Sequence, residues 1–203
     1  IGVVTGNAGV GKTRSLKEYA YTVSGVILIE VDRTFTAKAL VQELHRKAHL
    51  PHLNSNMHDM MVEVVDKLDG TNRLIIVDEA EHLPVRALDI LRRVNDKTGC
   101  GIVIAGLPGF MSELKSRRGD YAYIYSRIGY STRLYSFNKE DTAKVVRTAL
   151  PKANGITEHF YKKSKGNGRV LDKLIHMAFR IAKINKQKIN KSVVDKAYEL
   201  LEI

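Results

Sequence analysis

The sequence predicts an α/β fold, in which a parallel sheet of five strands flanked by helices is followed by a small all-helical domain. Five short apolar runs alternate with stretches of helical periodicity, and this alternation is typical of a parallel sheet. After Ser136 the alternation ends and only helical patterns follow. A glycine-rich stretch also separates the first apolar run from the first helix. The strand candidates are Ile1–Thr5, Val26–Val31, Leu74–Val77, Ile102–Ala105 and Thr132–Ser136.

The predicted helices carry recognisable start and stop signals. Pro84 lies early in the helix expected over residues 81–96, where proline is tolerated. Asn138 and Asn190 precede helical patterns and are expected to cap them. These signals divide the chain into an α/β core, residues 1–137, and a helical domain, residues 138–203. The remaining helices are predicted over residues 13–21, 36–49, 57–68, 138–150, 156–164, 169–184 and 192–201.

Composition bounds the class of protein. The single cysteine, Cys100, excludes a disulfide framework within the chain and fits a reducing compartment. No apolar run approaches transmembrane length and no signal peptide opens the chain, so we expect a cytoplasmic protein without a membrane partner. The first residue already lies in a strand and is not methionine, so we expect that an N-terminal region is missing.

The net charge is +11 and is unevenly spread. Residues 1–137 carry 18 basic and 15 acidic side chains, whereas residues 138–203 carry 15 and 7. An excess of this size favours a polyanionic partner, most simply nucleic acid. The alternative is a solvated, lysine-rich helical face, which basic charge alone does not exclude.

The glycine-rich stretch has the pattern G-x-x-x-x-G-K-[ST] of a phosphate-binding loop. Glycines allow backbone N–H groups to surround phosphates, Lys12 can reach the β- and γ-phosphates, and the Thr13 hydroxyl can bind Mg²⁺. A strand before the loop and a helix after it supply the context that this motif requires. Nucleotide contacts are expected from Gly6, Asn7, Ala8, Gly9, Val10, Gly11, Lys12, Thr13 and Arg14.

A second motif pairs two carboxylates with the end of a buried strand. Asp78 and Glu79 follow the apolar run Leu74–Val77, at the strand end where open α/β sheets bind ligands. We expect Asp78 to hold Mg²⁺ through water and Glu79 to orient and deprotonate the attacking water. Together the two motifs predict that the chain binds a nucleoside triphosphate with Mg²⁺ and hydrolyses it.

Two arginines are candidates for sensing or stabilising phosphate charge. Arg127 precedes the fifth strand and could project toward the γ-phosphate of a neighbouring subunit, although a plain surface arginine is an equal alternative. Arg133 is a weaker rival. Arg169 follows Gly166-Asn167-Gly168 on the first turn of a helix, where a cation is a poor match for the helix dipole. That mismatch favours a functional role over a plain helix start.

Basic loops that follow strand ends are candidates for phosphate contacts with DNA. Ordinary solvation explains them equally well. Tyrosines at positions 121, 123, 125, 130 and 135 could stack on bases. The favoured interpretation is that they pack against the core with the hydroxyl in contact with solvent. The DNA-binding candidates are Arg33, Thr34, Lys38, Lys115, Arg117 and Arg118.

With these residues assembled, the chain resembles the AAA+ P-loop NTPases, and among them the MuB-like ATPases that activate target DNA in transposition. The resemblance extends across essentially the whole chain. IstB and the TnsC-type regulators share the pattern less closely. The segments that carry it are GNAGVGKT, IIVDEAEHL, YSRIGYSTRL and GNGRVLDKLI.

The resemblance implies a sheet order of 5-1-4-3-2 with a C-terminal helical lid. It implies ATP-dependent assembly of a homo-oligomer, a helical filament or ring, on duplex DNA with little sequence preference. It also implies delivery of that DNA to a DDE transposase. Arg127 matches the arginine finger that acts in trans, and Arg169 matches the sensor arginine of the lid.

One position departs from the family pattern. Many AAA+ proteins carry a polar residue, often asparagine, after the fourth strand, where this chain has Leu107. Water positioning is then expected to rest more on Glu79, and slow turnover should follow.

Two other functions stay open at this stage. A helicase loader of DNA replication would use a similar ATPase but needs a helicase-binding segment. A nucleotide-gated signalling module would bind ATP and change partners without assembling on DNA. The basic helical domain and the candidate role of Arg127 in trans argue against the signalling module.

Overall fold

The computed structural model contains the predicted sheet and helices. It describes residues 1–51, 56–115, 122–151 and 155–201. Strands β1 to β5 span Gly2–Gly6, Val26–Glu30, Leu74–Asp78, Gly101–Gly106 and Tyr130–Leu134. Helices α1 to α10 span Lys12–Thr22, Ala37–Lys47, Met57–Leu68, Val85–Thr98, Pro108–Lys115, Ala122–Tyr125, Lys139–Ala149, Thr157–Ser164, Gly168–Ile184 and Lys191–Leu200. In the described part of the chain, no helix is both long and apolar enough to cross a membrane.

The five strands form one sheet in the order β2-β3-β4-β1-β5, which confirms the expected order. β2 pairs with β3, β3 with β4 and β4 with β1, all in parallel. Alternate residues of strands β1 to β4 are buried in one large hydrophobic cluster together with residues of the helices. The cluster includes Val3, Ile29 and Ile75 on strands and Leu88 and Leu91 on α4. The apolar runs seen in the sequence are therefore the strands of a sheet buried against helices.

The helix after β3 begins later than the sequence predicts. Residues 81–96 were expected to be helical, but Ala80–His82 form a short 3-10 turn and α4 begins at Val85. Leu83 is extended because it precedes a proline, and Pro84 is itself extended as the N-terminal cap. The proline thus separates the turn from the helix, so residues 80–82, which include Glu81, are not part of α4.

The chain divides into two compact units. The first combines residues 1–6 with 12–133, and the second combines residues 7–11 with 134–203. A separate hydrophobic cluster, which includes Phe160, Leu171, Leu174 and Val194, holds the helices of the second unit together.

Two helices of the second unit begin at the asparagine caps predicted from the sequence. Asn138 and Asp141 form a complete capping box at the start of α7, in which each side chain binds the other residue's backbone N–H. The Asn190 side chain accepts from the N–H of Val193 at the start of α10.

A polar cluster links α8 to α10 within the second unit. The carboxylate of Asp195 lies 2.7 Å from Lys163 Nζ and 2.9 Å from His159 Nε2. Lys163 also lies over the Tyr198 ring, 5.1 Å from its centroid. The hydrogen bonds from Lys163 and His159 hold the pKa of Asp195 below its ordinary value.

We expect Asp195→Asn to lower the free energy of unfolding at neutral pH and to lower it less in acid. A carboxylate whose pKa is lowered by folding contributes stability above its unfolded pKa, about 3.9, and that contribution is lost as the pH falls through the folded value. Denaturant unfolding of wild type and variant at about pH 7 and about pH 3 measures this. Asp172→Asn is the control, because Asp172 is largely exposed and lies 3.7 Å from His176. Equal destabilisation by Asp195→Asn at both pH values would contradict the assignment.

Candidate functional site

The phosphate-binding loop lies between β1 and α1, as the motif predicts. Gly9 and Gly11 have φ of +81° and +98°, in the left-handed region that favours glycine. Lys12 is the first residue of α1, and its Nζ donates to the carbonyl of Gly6 at 2.6 Å. The ammonium group thus lies beside the start of the loop, and the N-terminus of the helix favours an anion at the same place.

Asp78 and Glu79 occupy different environments although they are adjacent. Asp78 ends β3, is 1% exposed, and accepts from the N–H of Glu79 at 3.0 Å. Glu79 is exposed and has φ 57° and ψ 35°, a left-handed conformation that costs free energy for a residue other than glycine. The buried carboxylate is suited to hold a cation, and the exposed one is suited to meet water.

The parallel sheet brings both motifs to one edge. β4 pairs with β1, with Gly106 opposite Thr5, and with β3, with Ile104 opposite Val77. The carboxyl ends of β1 and β3 therefore face the same side of the first unit, separated only by β4, where open α/β sheets bind ligands.

The donor set at this edge fits Mg²⁺. Thr13 offers a hydroxyl oxygen and Asp78 a carboxylate oxygen, and Mg²⁺ is usually held by one or two such groups together with waters and phosphate oxygens. A carboxylate as buried as Asp78 also gains from a nearby cation. These residues are the ones predicted from the sequence to hold the metal.

Within the second unit, the loop residues are bonded to the start of α9. The N–H of Gly168 donates to the carbonyl of Gly9 at 2.7 Å, and Asn167 Nδ2 donates to the carbonyl of Ala8 at 3.2 Å. A Cβ on Gly9 would lie 2.2 Å from Asn167 Oδ1. The loop and the start of α9 thus meet through one backbone hydrogen bond and the Asn167 side chain, which occupies the space that a Cβ on Gly9 would need.

Asn167 also caps α9 and so positions Arg169. Its Oδ1 accepts from the N–H groups of Arg169 and Val170 at 3.0 and 3.1 Å. Arg169 lies on the first turn of the helix, as the sequence predicts, and is exposed. The sequence indicates that Asn167 can cap a helix, but its bond to the phosphate-binding loop is a long-range contact that no local pattern reveals.

Arg127 lies on the surface between α6 and β5. Its side chain is 52% exposed, and its Nη2 lies 3.5 Å from Asp96 Oδ2 on α4. Arg133 on β5 and Arg14 on α1 are also exposed. The exposure of Arg127 is compatible with the expected role in a neighbouring site, and that role stays a prediction.

The described DNA-binding candidates of the first unit are all exposed, but Thr34 is bonded within its own loop. Arg33, Lys38 and Lys115 are exposed, whereas the Thr34 hydroxyl donates to Asp32 Oδ1 at 2.6 Å. The hydroxyl and N–H of Thr34 hold the pKa of Asp32 below its ordinary value.

The remaining surface candidates are two arginines and a group of tyrosines. Arg117 and Arg118 lie outside the described residues. The expectation that tyrosines pack against the core is wrong for Tyr125, Tyr130 and Tyr135, which are 42%, 68% and 72% exposed.

Comparison with known proteins agrees with this architecture. A family model described as an AAA domain matches residues 1–114. Since the match covers more than half of the chain, the protein belongs to the AAA domain family. With its phosphate-binding loop and its acidic strand end, the chain is a P-loop ATPase domain of that class.

The curated relatives include proteins of phages and of a prophage. The chain is 28% identical over 151 residues to the Mu-like prophage FluMu DNA transposition protein B of Haemophilus influenzae, which covers 72% of this chain and 53% of the relative. It is 27% identical over 212 residues to the ATP-dependent target DNA activator B of Escherichia phage Mu, which covers 100% of this chain and 67% of the relative. The chain thus spans about half to two thirds of the length of these relatives.

Solved structures share the fold at low sequence identity. The ADP form of the ORC2 protein of Aeropyrum pernix superimposes with a TM-score of 0.74 and 18% identity, over 98% of this chain and 62% of that chain. The RuvB Holliday junction branch migration motor of Thermotoga maritima gives a TM-score of 0.67 and 16% identity, over 98% and 61%. At such identities the similarity establishes the fold alone.

We expect Asn167→Ala to weaken nucleotide binding as well as stability, because Asn167 both caps α9 and bonds to the loop. Loss of an asparagine cap costs about 1 kcal/mol. Asn190→Ala is the matched control. Asn190 caps α10 in the same way, but the hydrogen bond described for its side chain is with Val193 and not with the loop. Denaturant unfolding and titration with a fluorescent ATP analogue separate the two effects. Equal nucleotide affinity in the two variants would show that the contact with the loop is irrelevant to binding.

Proposed function

We propose that this protein is an ATP-dependent DNA-binding ATPase that assembles on duplex DNA and delivers it as target to a DDE transposase. The observation that carries the proposal is the arrangement of Lys12, Asp78 and Glu79 at one sheet edge in a chain similar over its full length to a phage target DNA activator.

The hydrolytic roles follow from charge and exposure. Lys12, held at the start of the helix that follows the loop, would neutralise the β- and γ-phosphates. Thr13 and Asp78 would hold Mg²⁺, which when bound neutralises charge on the phosphate oxygens. Glu79, exposed at the end of β3, would orient the attacking water and accept its proton.

DNA binding is supported by charge rather than by a shaped groove. The net charge of +11 and the accessible side chains of Arg33, Lys38 and Lys115 suit contact with phosphates. Phosphate contacts fix a protein on the duplex without reading its sequence. Binding that is indifferent to sequence is what delivery of arbitrary target DNA requires.

Assembly would arise from an ATP site shared between copies of the chain. Arg127 is exposed beside α4 and could reach the γ-phosphate of a neighbour, while Arg169 on the first turn of α9 could report phosphate to its own helical domain. ATP would then hold neighbouring subunits together. Because Leu107 supplies no polar side chain after β4, hydrolysis should be slow, which suits a switch better than a motor.

Electron microscopy with plain duplex DNA tests the proposal. Filaments are expected on DNA of arbitrary sequence in the presence of ATP and Mg²⁺ and not in their absence. Binding should weaken steeply with salt, since counterions are released when phosphates are contacted. Rings on a partner protein, with bare DNA ignored, would instead favour a helicase loader.

We expect Lys12→Ala to abolish both hydrolysis and filaments, and Glu79→Gln to abolish hydrolysis while filaments persist or live longer. The first change removes the cation that holds the phosphates, whereas the second removes only the group that activates water. Phosphate release and negative-stain images with ATP measure the two outcomes. Normal filaments from Lys12→Ala would contradict the coupling of ATP to assembly.

We expect Arg127→Ala to lower turnover by a large factor, about 10³-fold if the arginine stabilises the transition state in trans. Arg93→Ala is the control, since Arg93 is a similarly exposed arginine paired with Asp89. Mixing Arg127→Ala with Lys12→Ala should restore some activity, because one copy supplies the site and the other the arginine. Absence of any restoration, with filaments still forming, would argue that Arg127 does not act across subunits.

A further inference from the structure

A second glutamate reaches the end of β4 from the acidic turn. The Oε2 atom of Glu81 accepts from the N–H of Leu107 at 3.3 Å. Glu81 is partly buried, and Leu107 is 41% exposed. The residue after β4 therefore has an apolar side chain, but its backbone N–H is bonded to a carboxylate from the turn after β3.

This carboxylate lies between the two motifs of the ATP site. β4 separates β1 from β3, and Gly106 at its end is opposite Thr5, the residue before Gly6. A Cβ on Gly106 would lie 2.6 Å from Glu81 Oε2 and 3.3 Å from Phe110 Cδ1. Gly106 has an ordinary backbone conformation here, so the space that the missing Cβ leaves is what admits the carboxylate.

The turn that holds Glu81 also holds Glu79 in a strained conformation. Glu79 is left-handed, and a non-glycine residue keeps that conformation only when its surroundings impose it. The N–H of Glu79 donates to Asp78 Oδ1 at 3.0 Å, and its carbonyl accepts from His82 at 3.0 Å. Ala80 is fully buried. The hydrogen bond from the Leu107 N–H to Glu81 Oε2 ties this turn to the end of β4, beside the apolar cluster that Ala80 shares with Ile104.

We propose that Glu81 is a positioning residue for ATP hydrolysis, an inference that rests on the hydrolytic function proposed above. By accepting from the Leu107 N–H, it fixes the turn from Asp78 to His82 against β4 and so holds Glu79 where it meets the attacking water. The backbone N–H of Leu107, rather than a side chain at that position, is the group through which β4 contributes. ATP itself is bound by other groups, so its affinity does not depend on Glu81.

Two substitutions at position 81 separate positioning from chemistry. Glu81→Ala removes the acceptor, and turnover should fall about 10-fold or more because a small misplacement of a reacting group is costly. Glu81→Gln keeps an oxygen acceptor and should recover most of the turnover that Glu81→Ala loses. Steady-state kcat, affinity for a fluorescent ATP analogue and melting temperature are measured together. Glu113→Ala, on the exposed face of α5, is the control.

A double-mutant cycle between Gly106 and Glu81 adds a second test. Gly106→Ala should lower kcat as Glu81→Ala does, because the new Cβ displaces the carboxylate. In the Glu81→Ala background the 2.6 Å approach to the carboxylate is gone and the contact with Phe110 Cδ1, at 3.3 Å, remains, so the further effect of the same change should be smaller. Such non-additivity identifies the two residues as one unit.

The outcomes are distinct. Loss of kcat in Glu81→Ala at unchanged ATP affinity and melting temperature, with recovery in Glu81→Gln, supports the inference. Full turnover in Glu81→Ala, loss in Glu81→Gln equal to that in Glu81→Ala, or a parallel fall in affinity and melting temperature overturns it. Wild-type turnover no greater than that of Lys12→Ala overturns the proposed function and this inference together.

Discussion

The parallel pairing of β1, β4 and β3 is the constraint on which the site depends. Parallel strands present their carboxyl ends on one edge, so residues more than sixty positions apart in sequence, such as Lys12 and Asp78, lie on the same side of the sheet. The pairing is stabilised by a buried cluster of apolar side chains on the strands and helices. The chemistry can therefore use strained and charged groups that a less supported backbone would not retain.

Gly9 and Glu79 illustrate how the surroundings of a residue determine its backbone conformation. Gly9 has a positive φ that its residue type tolerates, and the Asn167 side chain leaves no space for a Cβ. Glu79 also has a positive φ, but its residue type does not favour it, and the turn around it is held by bonds to Asp78, His82 and, through Glu81, Leu107. In the first case residue choice and environment agree. In the second the environment overrides local preference, as is common at functional sites.

The phosphate-binding loop belongs to two structural contexts. Its ends lie in β1 and α1 of the first unit, whereas residues 7–11 group with the helices of the second. The bond from Gly168 to the carbonyl of Gly9 means that a ligand seated on the loop would act on groups already bonded to the start of α9.

Local pattern was sufficient for much of the fold and for the residue types of the site. Apolar runs and helical periodicity located the strands and most helices to within about two residues, and the caps at Asn138 and Asn190 were correct, because each depends on neighbours along the chain. The start of the helix after β3 was misplaced, since Pro84 was expected inside that helix but is extended as its N-terminal cap. The exposure of Tyr130 and Tyr135 could not be predicted from the sequence, because it depends on which elements cover β5 and the residue that follows it.

By itself the sequence determined that a phosphate-binding loop and an acidic strand end belong to one α/β protein, since both signals are local and residue-specific. Only the tertiary structure decided which side chains meet. The bonds from Asn167 to the loop and from Leu107 to Glu81 join segments 159 and 26 residues apart. Such contacts arise from strand order and helix packing, which a local pattern does not encode, and they account for how Arg169 and Glu79 are held in place.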